Sequence, residues 1–218
     1  MIFQAEALLF DLDETLVRSS FSIITAWTKF AMRMHLDFDE TKVLLPGRRG
    51  TDIINLVCPQ LTNQQVQREL ETVREDEIRS AVNIEPMSGA AEVLNSLNDW
   101  QWAVVTAAPK SLMEARMHGA GLPTPKVSIC AEDVFSGKPS SEGFLAAAQQ
   151  LAVRPDRCIG FEDSALGFEA LDAAGIRIIE VGRSTPSRWK SAIASVKDYG
   201  RLSIRIMKSY VEIEVWPS

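Results

Sequence analysis

Short apolar runs flanked by helical patterning recur along this chain, and they constrain its fold more than any other feature. They occupy residues 6–12, 102–106, 127–130, 158–161 and 176–181. Such a run lacks the polar alternation of a sheet with one wet face, so it reads as a strand buried on both faces. Strands of this kind alternating with helices predict an α/β protein built on a doubly wound parallel sheet. Helix starts are marked by Ser88 ahead of Ala90 and Val93, and by Ser140 or Ser141 ahead of the stretch 144–151, which ends near Pro155. Gly119 and Gly121 close a further helix after Met117.

At 218 residues, 46% of them hydrophobic and 24% charged, the chain can bury one main core plus a sizeable insertion. The insertion is visible between 18 and 85, where no strand-like run occurs and the length far exceeds a usual strand-to-helix connection. Within it Ile23, Ile24, Trp27, Phe30, Ala31 and Met34 keep helical spacing. Thr62 with Gln65 has the form of a capping box that opens a long polar helix through Ser80. The expected division is a core of residues 1–17 and 86–218 and a helical cap of residues 18–85, with Trp27 and Phe30 inside the cap. The tail alternates Ile204, Ile206, Val211, Ile213 and Val215 with polar partners, which predicts a hairpin around Lys208 and Ser209.

The net charge is -6 and the 23 lysines and arginines form no dense block, so nucleic acid is not expected as a partner. The widely spaced Cys58, Cys130 and Cys158 offer neither a disulfide framework nor a zinc cluster, and they fit a reducing cytoplasm. His35 and His118 are the only histidines, so any metal must be held mainly by oxygen. The opening residues carry no basic segment and no apolar stretch approaches membrane-spanning length; neither a signal peptide nor a membrane helix is expected.

Residues able to do chemistry collect at the ends of the predicted strands. Asp11 and Asp13 follow the first, where period-two geometry would aim both to one side. Two close carboxylates repel and invite a cation. Ligands of open α/β sheets gather beyond the carboxyl ends of the strands, which is where this pair stands. Thr106 ends the run 102–106, Lys138 lies in Ser136-Gly137-Lys138-Pro139 before a helix, and Glu162 with Asp163 closes the run 158–161. Singly these are a turn residue, a solvated lysine and a helix cap. As an ordered set they ask for a common explanation.

The set resembles the haloacid dehalogenase superfamily, in its phosphatase branch with a helical cap inserted after the first motif. That motif is matched by Asp11, Asp13 and Thr15, the second by Thr106, the third by Lys138 and the fourth by Glu162 with Asp163. Residues 102–106, 120–125 and 131–133 are similar to the sugar-phosphatase and hexitol-phosphatase subgroup. The resemblance implies a Rossmann-like core and a Mg2+-dependent hydrolase of small phosphorylated sugars or polyols, monomeric or weakly dimeric. Asp11 would be the nucleophile that forms an aspartyl-phosphate, and Asp11, Asp163 and the backbone carbonyl of Asp13 would hold the metal. The Asp13 side chain would act as general acid and base, while Thr106 and Lys138 would bind the phosphoryl group. Pro46-Gly47-Arg48-Arg49-Gly50 aligns with the family's substrate-facing cap loop, which makes Arg48 or Arg49 a candidate substrate contact. Glu14 stands where most relatives carry Gly, Arg18 where they carry Asp, and Ala107-Ala108 where a polar pair is usual. A phosphosugar mutase on the same scaffold is the alternative, although Ile23 occupies the place of the histidine that such hexose-phosphate mutases carry. A phospho-accepting signalling receiver is disfavoured by the long insertion.

Overall fold

The computed structural model describes residues 1–183 and 189–216. Strands β1 (Ile2–Ala5), β2 (Ala7–Phe10) and β3 (Val17–Arg18) lead into helices α1 (Ser20–Met34), α2 (Phe38–Lys42), α3 (Gly50–Val57) and α4 (Asn63–Ser80). The chain continues through β4 (Glu85–Pro86), α5 (Ala90–Ser96), β5 (Trp102–Val105), α6 (Lys110–Gly119), β6 (Ser128–Ile129) and α7 (Glu142–Gln150). It finishes with β7 (Cys158–Glu162), α8 (Ala165–Ala173), β8 (Arg177–Val181), β9 (Ala192–Val196), β10 (Leu202–Ile206) and β11 (Val211–Val215).

The central sheet has six parallel strands in the order β6-β5-β2-β7-β8-β9, and every strand expected from an apolar run lies in it. Side chains alternate between its faces. Leu8, Phe10, Trp102, Val104, Ile159 and Phe161 join one interior with Val93 and Leu94 of α5 and Met113 and Met117 of α6. Ala7, Leu9, Ala103, Val105, Cys158 and Ile178 join the other with Phe144 and Ala147 of α7 and Phe168 and Leu171 of α8. With both faces covered, every residue of β2, β5 and β7 is buried. Each large one contributes about 1.5–3 kcal/mol, and this explains why the runs carry no polar alternation. The fold is the doubly wound α/β arrangement that those runs imply.

A second sheet, β1-β11-β10, is antiparallel and sends Val211, Ile213 and Val215 into the first interior. The tail hairpin therefore forms where its alternation placed it, and β1 adds an unexpected third strand. Between β3 and β4, which pair antiparallel, the chain is helical and has an interior of its own. Ala26, Trp27, Phe30, Ile53, Ile54, Val66 and Val73 fill it, Trp27 meeting Phe30 edge-on with ring centroids 5.3 Å apart. The capping box forms as its spacing predicts, Thr62 and Gln65 satisfying each other's backbone N–H groups. Ser88, by contrast, does not cap α5. Gly89 precedes the helix at φ +80°, so close to the Tyr199 backbone that a side chain would collide with it. Among the described residues no helix is long and apolar enough to cross a membrane, and the three cysteines are free and buried.

Candidate active site

Strand order assembles the site. Because β5, β2 and β7 are neighbours and parallel, their carboxyl ends deliver Thr106, Asp11 and the pair Glu162 and Asp163 to one edge of the sheet. The loop ahead of α7 adds Lys138. Strand β2 ends at Phe10, so Asp11 and Asp13 lie in the following loop, and loop geometry rather than strand period directs both to the same cavity. That cavity, of about 300 Å³, runs between the sheet edge and the helical insertion and is also lined by Asp163, Ile23, Trp27 and Arg48.

The Lys138 ammonium donates to Asp11 Oδ1 at 2.5 Å and to Glu162 Oε2 at 2.7 Å, all three side chains being at most 7% exposed. The same ammonium lies 5.3 Å from the Phe144 ring centroid, an additional cation–π contact. The other Glu162 oxygen accepts from the backbone N–H groups of Asp163 and Ser164 and from Ser164 Oγ, at 3.2, 3.0 and 2.8 Å. Glu162 fits only because residue 167 is glycine: a Cβ there would run into the carboxylate. Thr15 Oγ1 donates to Asp163 Oδ1 at 3.4 Å. One oxygen from each of Asp11, Glu162 and Asp163 falls within 4.8 Å of the other two.

Burial, and then the negative charge of Glu162, push the Asp11 carboxyl up to about 7 against the pull of Lys138. Burial, then Glu162 and Asp11, push Asp163 up to about 9. For Lys138, burial opposes the charge, but Asp11 and Glu162 outweigh it and the ammonium is held above its usual range. Two buried carboxyl groups and the half-buried Asp163 thus face one cation, an excess of hard oxygen donors that suits Mg2+. The donor set fits that ion. Glu162 has both oxygens engaged by the protein.

The remaining candidates divide. Thr106 is 6% exposed, its Oγ1 accepting from the Ala108 N–H at 3.0 Å, and it lines a smaller cleft together with Lys138 rather than the main cavity. Arg48 lines the main cavity, and its buried Nε has no hydrogen-bond partner among the described residues. Arg49 is committed elsewhere, to Asp52 and to the carbonyls of Val134 and Phe135. Arg18 is exposed on β3 and stays away from the cavity. Glu14 takes φ +57°, a left-handed backbone that glycine adopts freely, and accepts the Ser20 N–H at the start of α1 at 2.7 Å.

Two charged residues escaped sequence reasoning. Arg116 on α6 donates to Asp13 Oδ2 at 2.8 Å and to Glu77 Oε1 on α4 at 3.1 Å, with its side chain 2% exposed. The one available signal was position: Arg116 falls on the buried stripe of α6 with Leu112, Met113 and Met117.

Known proteins share much of this chain's sequence and fold. A family model described as haloacid dehalogenase-like hydrolase matches residues 5–175. Hexitol phosphatase A of Escherichia coli is 31% identical over 180 residues, which cover 82% of this chain and 83% of that protein. Glycerol-1-phosphate phosphohydrolase 2 of Saccharomyces cerevisiae is 28% identical over 189 residues, covering 82% and 75%. The structure of β-phosphoglucomutase from Clostridium difficile superposes with a TM-score of 0.79 at 20% identity, over 91% of this chain and 93% of that one, a likeness of fold alone. The matched span runs from before Asp11 to beyond Asp163 and includes the helical insertion, and the chain belongs to the haloacid dehalogenase-like hydrolase family.

Proposed function

We propose that this chain is a Mg2+-dependent phosphatase of the cytoplasm that hydrolyses phosphate monoesters of small sugars or polyols through an aspartyl-phosphate on Asp11. The observation that carries the reading is that Asp11, Asp13 and Asp163 line one cavity at the sheet edge while Lys138, bonded to both Asp11 and Glu162, stands against them. Similarity to a hexitol phosphatase supports the substrate class. Asp11, Asp163 and the Asp13 backbone carbonyl would hold Mg2+, which when bound neutralises phosphate charge and eases attack by an anion.

In the first step an Asp11 oxygen bonds to phosphorus while the bond from phosphorus to the sugar oxygen breaks. Asp13 gives its proton to that departing oxygen, and the alcohol leaves. Asp13, now a carboxylate, then takes a proton from a water molecule whose oxygen bonds to phosphorus as the Asp11–phosphorus bond breaks. Inorganic phosphate is released and the Asp11 carboxylate is restored. Lys138 balances charge on Asp11 and on the phosphoryl oxygens, the Thr106 hydroxyl donates to one of those oxygens, and Glu162 holds Lys138 in place. The helical unit of residues 18–85 serves as a cap that excludes water, and Arg48, in the cavity wall with its buried Nε unpaired among the described residues, contacts the substrate. Phosphate release from a panel of sugar, polyol and aryl phosphates tests the reading. Asp11→Asn is expected to lower that release by on the order of 10⁴-fold or more. Undiminished turnover would reject Asp11 as the nucleophile, and an isomerised phosphate without free phosphate would replace the phosphatase with a mutase.

A further inference from the structure

We propose that Arg116 is a positioning residue that orients the Asp13 carboxyl for proton transfer and makes that orientation depend on how helix α4 is seated. The inference rests on the reading of Asp13 as acid and base. Its basis is the fork of a single buried guanidinium, with Nη1 on Asp13 Oδ2 at 2.8 Å and Nη2 on Glu77 Oε1 at 3.1 Å.

A buried arginine is costly, and the packing of α6 calls for an apolar residue at this place, as Leu112, Met113 and Met117 show. Arg116 is instead held by two carboxylates that, like it, line the cavity. Its bond to Asp13 is the one side-chain hydrogen bond that Asp13 makes among the described residues, and the other oxygen, Oδ1, is buried without a partner. The guanidinium therefore decides where that free oxygen points, the oxygen left to exchange a proton with the leaving group or with water. Gly119, one turn further along α6, lies so close to the Ala81 carbonyl at the end of α4 that a side chain would not fit, which fixes the spacing between the two helices. Glu77 belongs to the insertion and Asp13 to the core loop. Any movement that withdraws α4 removes one of the two anchors of Arg116 and frees Asp13 with it.

The discriminating experiment varies the leaving group, with the full-length enzyme and Mg2+. An alkyl phosphate such as a hexitol phosphate needs a proton on its departing oxygen, whereas nitrophenolate leaves without one. Arg116→Met is expected to lower kcat/KM for the alkyl ester by on the order of 10–100-fold and for the nitrophenyl ester by less than about threefold. With the nitrophenyl ester, slowed attack by water should also produce a burst of nitrophenolate approaching one per active site. Arg116→Lys should recover part of the alkyl activity. Because Arg116→Met alone leaves two carboxylates without their cation, the charge-balanced Arg116→Met/Glu77→Gln variant is run beside it, and Glu77→Gln alone should show a weaker form of the same pattern. Equal losses on both esters, or none on the alkyl ester, would overturn the proposal. If Asp13→Asn shows the selective loss while the Arg116 and Glu77 variants do not, positioning by Arg116 fails and the role of Asp13 stands. If wild type releases no phosphate from either ester, the underlying reading fails instead.

Discussion

Cys130 and Cys158 show what burial does to a single ionisable group in this protein: removal from water pushes both thiols up to about 12. Neither can form the nucleophilic thiolate at ordinary pH. At pH 8 the folded protein should leave all three cysteines unreactive towards a disulfide reagent such as dithionitrobenzoate, and full reaction should appear only in denaturant; fast labelling of the native state would contradict the packing. The same scale shows what a sequence can disclose. Asp11, Asp13, Lys138 and Asp163 were legible because their chemistry is tied to short local patterns at strand ends. Arg116 and Glu77 were not, because their meaning depends on two helices from different parts of the chain reaching the same buried volume. Glu14 was legible only as an anomaly, and its orientation towards the Ser20 N–H needed coordinates.

At the level of the element, apolar runs and caps were the readable signals. The central strands announced themselves because both faces are covered. β9, at the sheet edge, mixes Ala192 and Ser195 with its apolar residues, and the two-residue strands β3 and β4 are too short to carry a period. Ser88 misled because a capping side chain and a glycine turn serve the same need at a helix start, and here Gly89 serves it. The capping box of α4 offers a clean measurement, since its residues lie on the surface and away from the cavity. Thr62→Ala should lower unfolding stability by about 1 kcal/mol in chemical denaturation and leave phosphate release unchanged. A loss below a few tenths of a kcal/mol would mean that the helix end is satisfied by other groups.

For the molecule as a whole, the acidic edge of the sheet sets how stability responds to pH and to metal. The carboxyls of Asp11 and Asp163 stand at about 7 and about 9, and Glu77, raised chiefly by burial, also stands at about 7, all above the range of about 4 for an unfolded carboxyl. Between those limits the folded state binds more protons than the unfolded one, so metal-free stability should fall as pH rises from about 4 to about 9. Mg2+ requires the deprotonated groups and should reverse the trend, stabilising more at pH 8 than at pH 5. At a hundredfold excess over its Kd the gain is about 2.7 kcal/mol, on the order of 5–10 °C for a chain of this size. Thermal melts with Mg2+ and with a chelator measure it, and Asp163→Asn should abolish the difference; a metal response unaffected by that change would place the ion elsewhere. The antiparallel sheet bears on a different stage of the protein's life. Ala5 finds its partner in Val211 and Ile2 in Glu214. During translation β1 emerges from the ribosome long before β11, and throughout that interval its hydrogen-bonding edge is open, a target for chaperones and for other nascent chains alike.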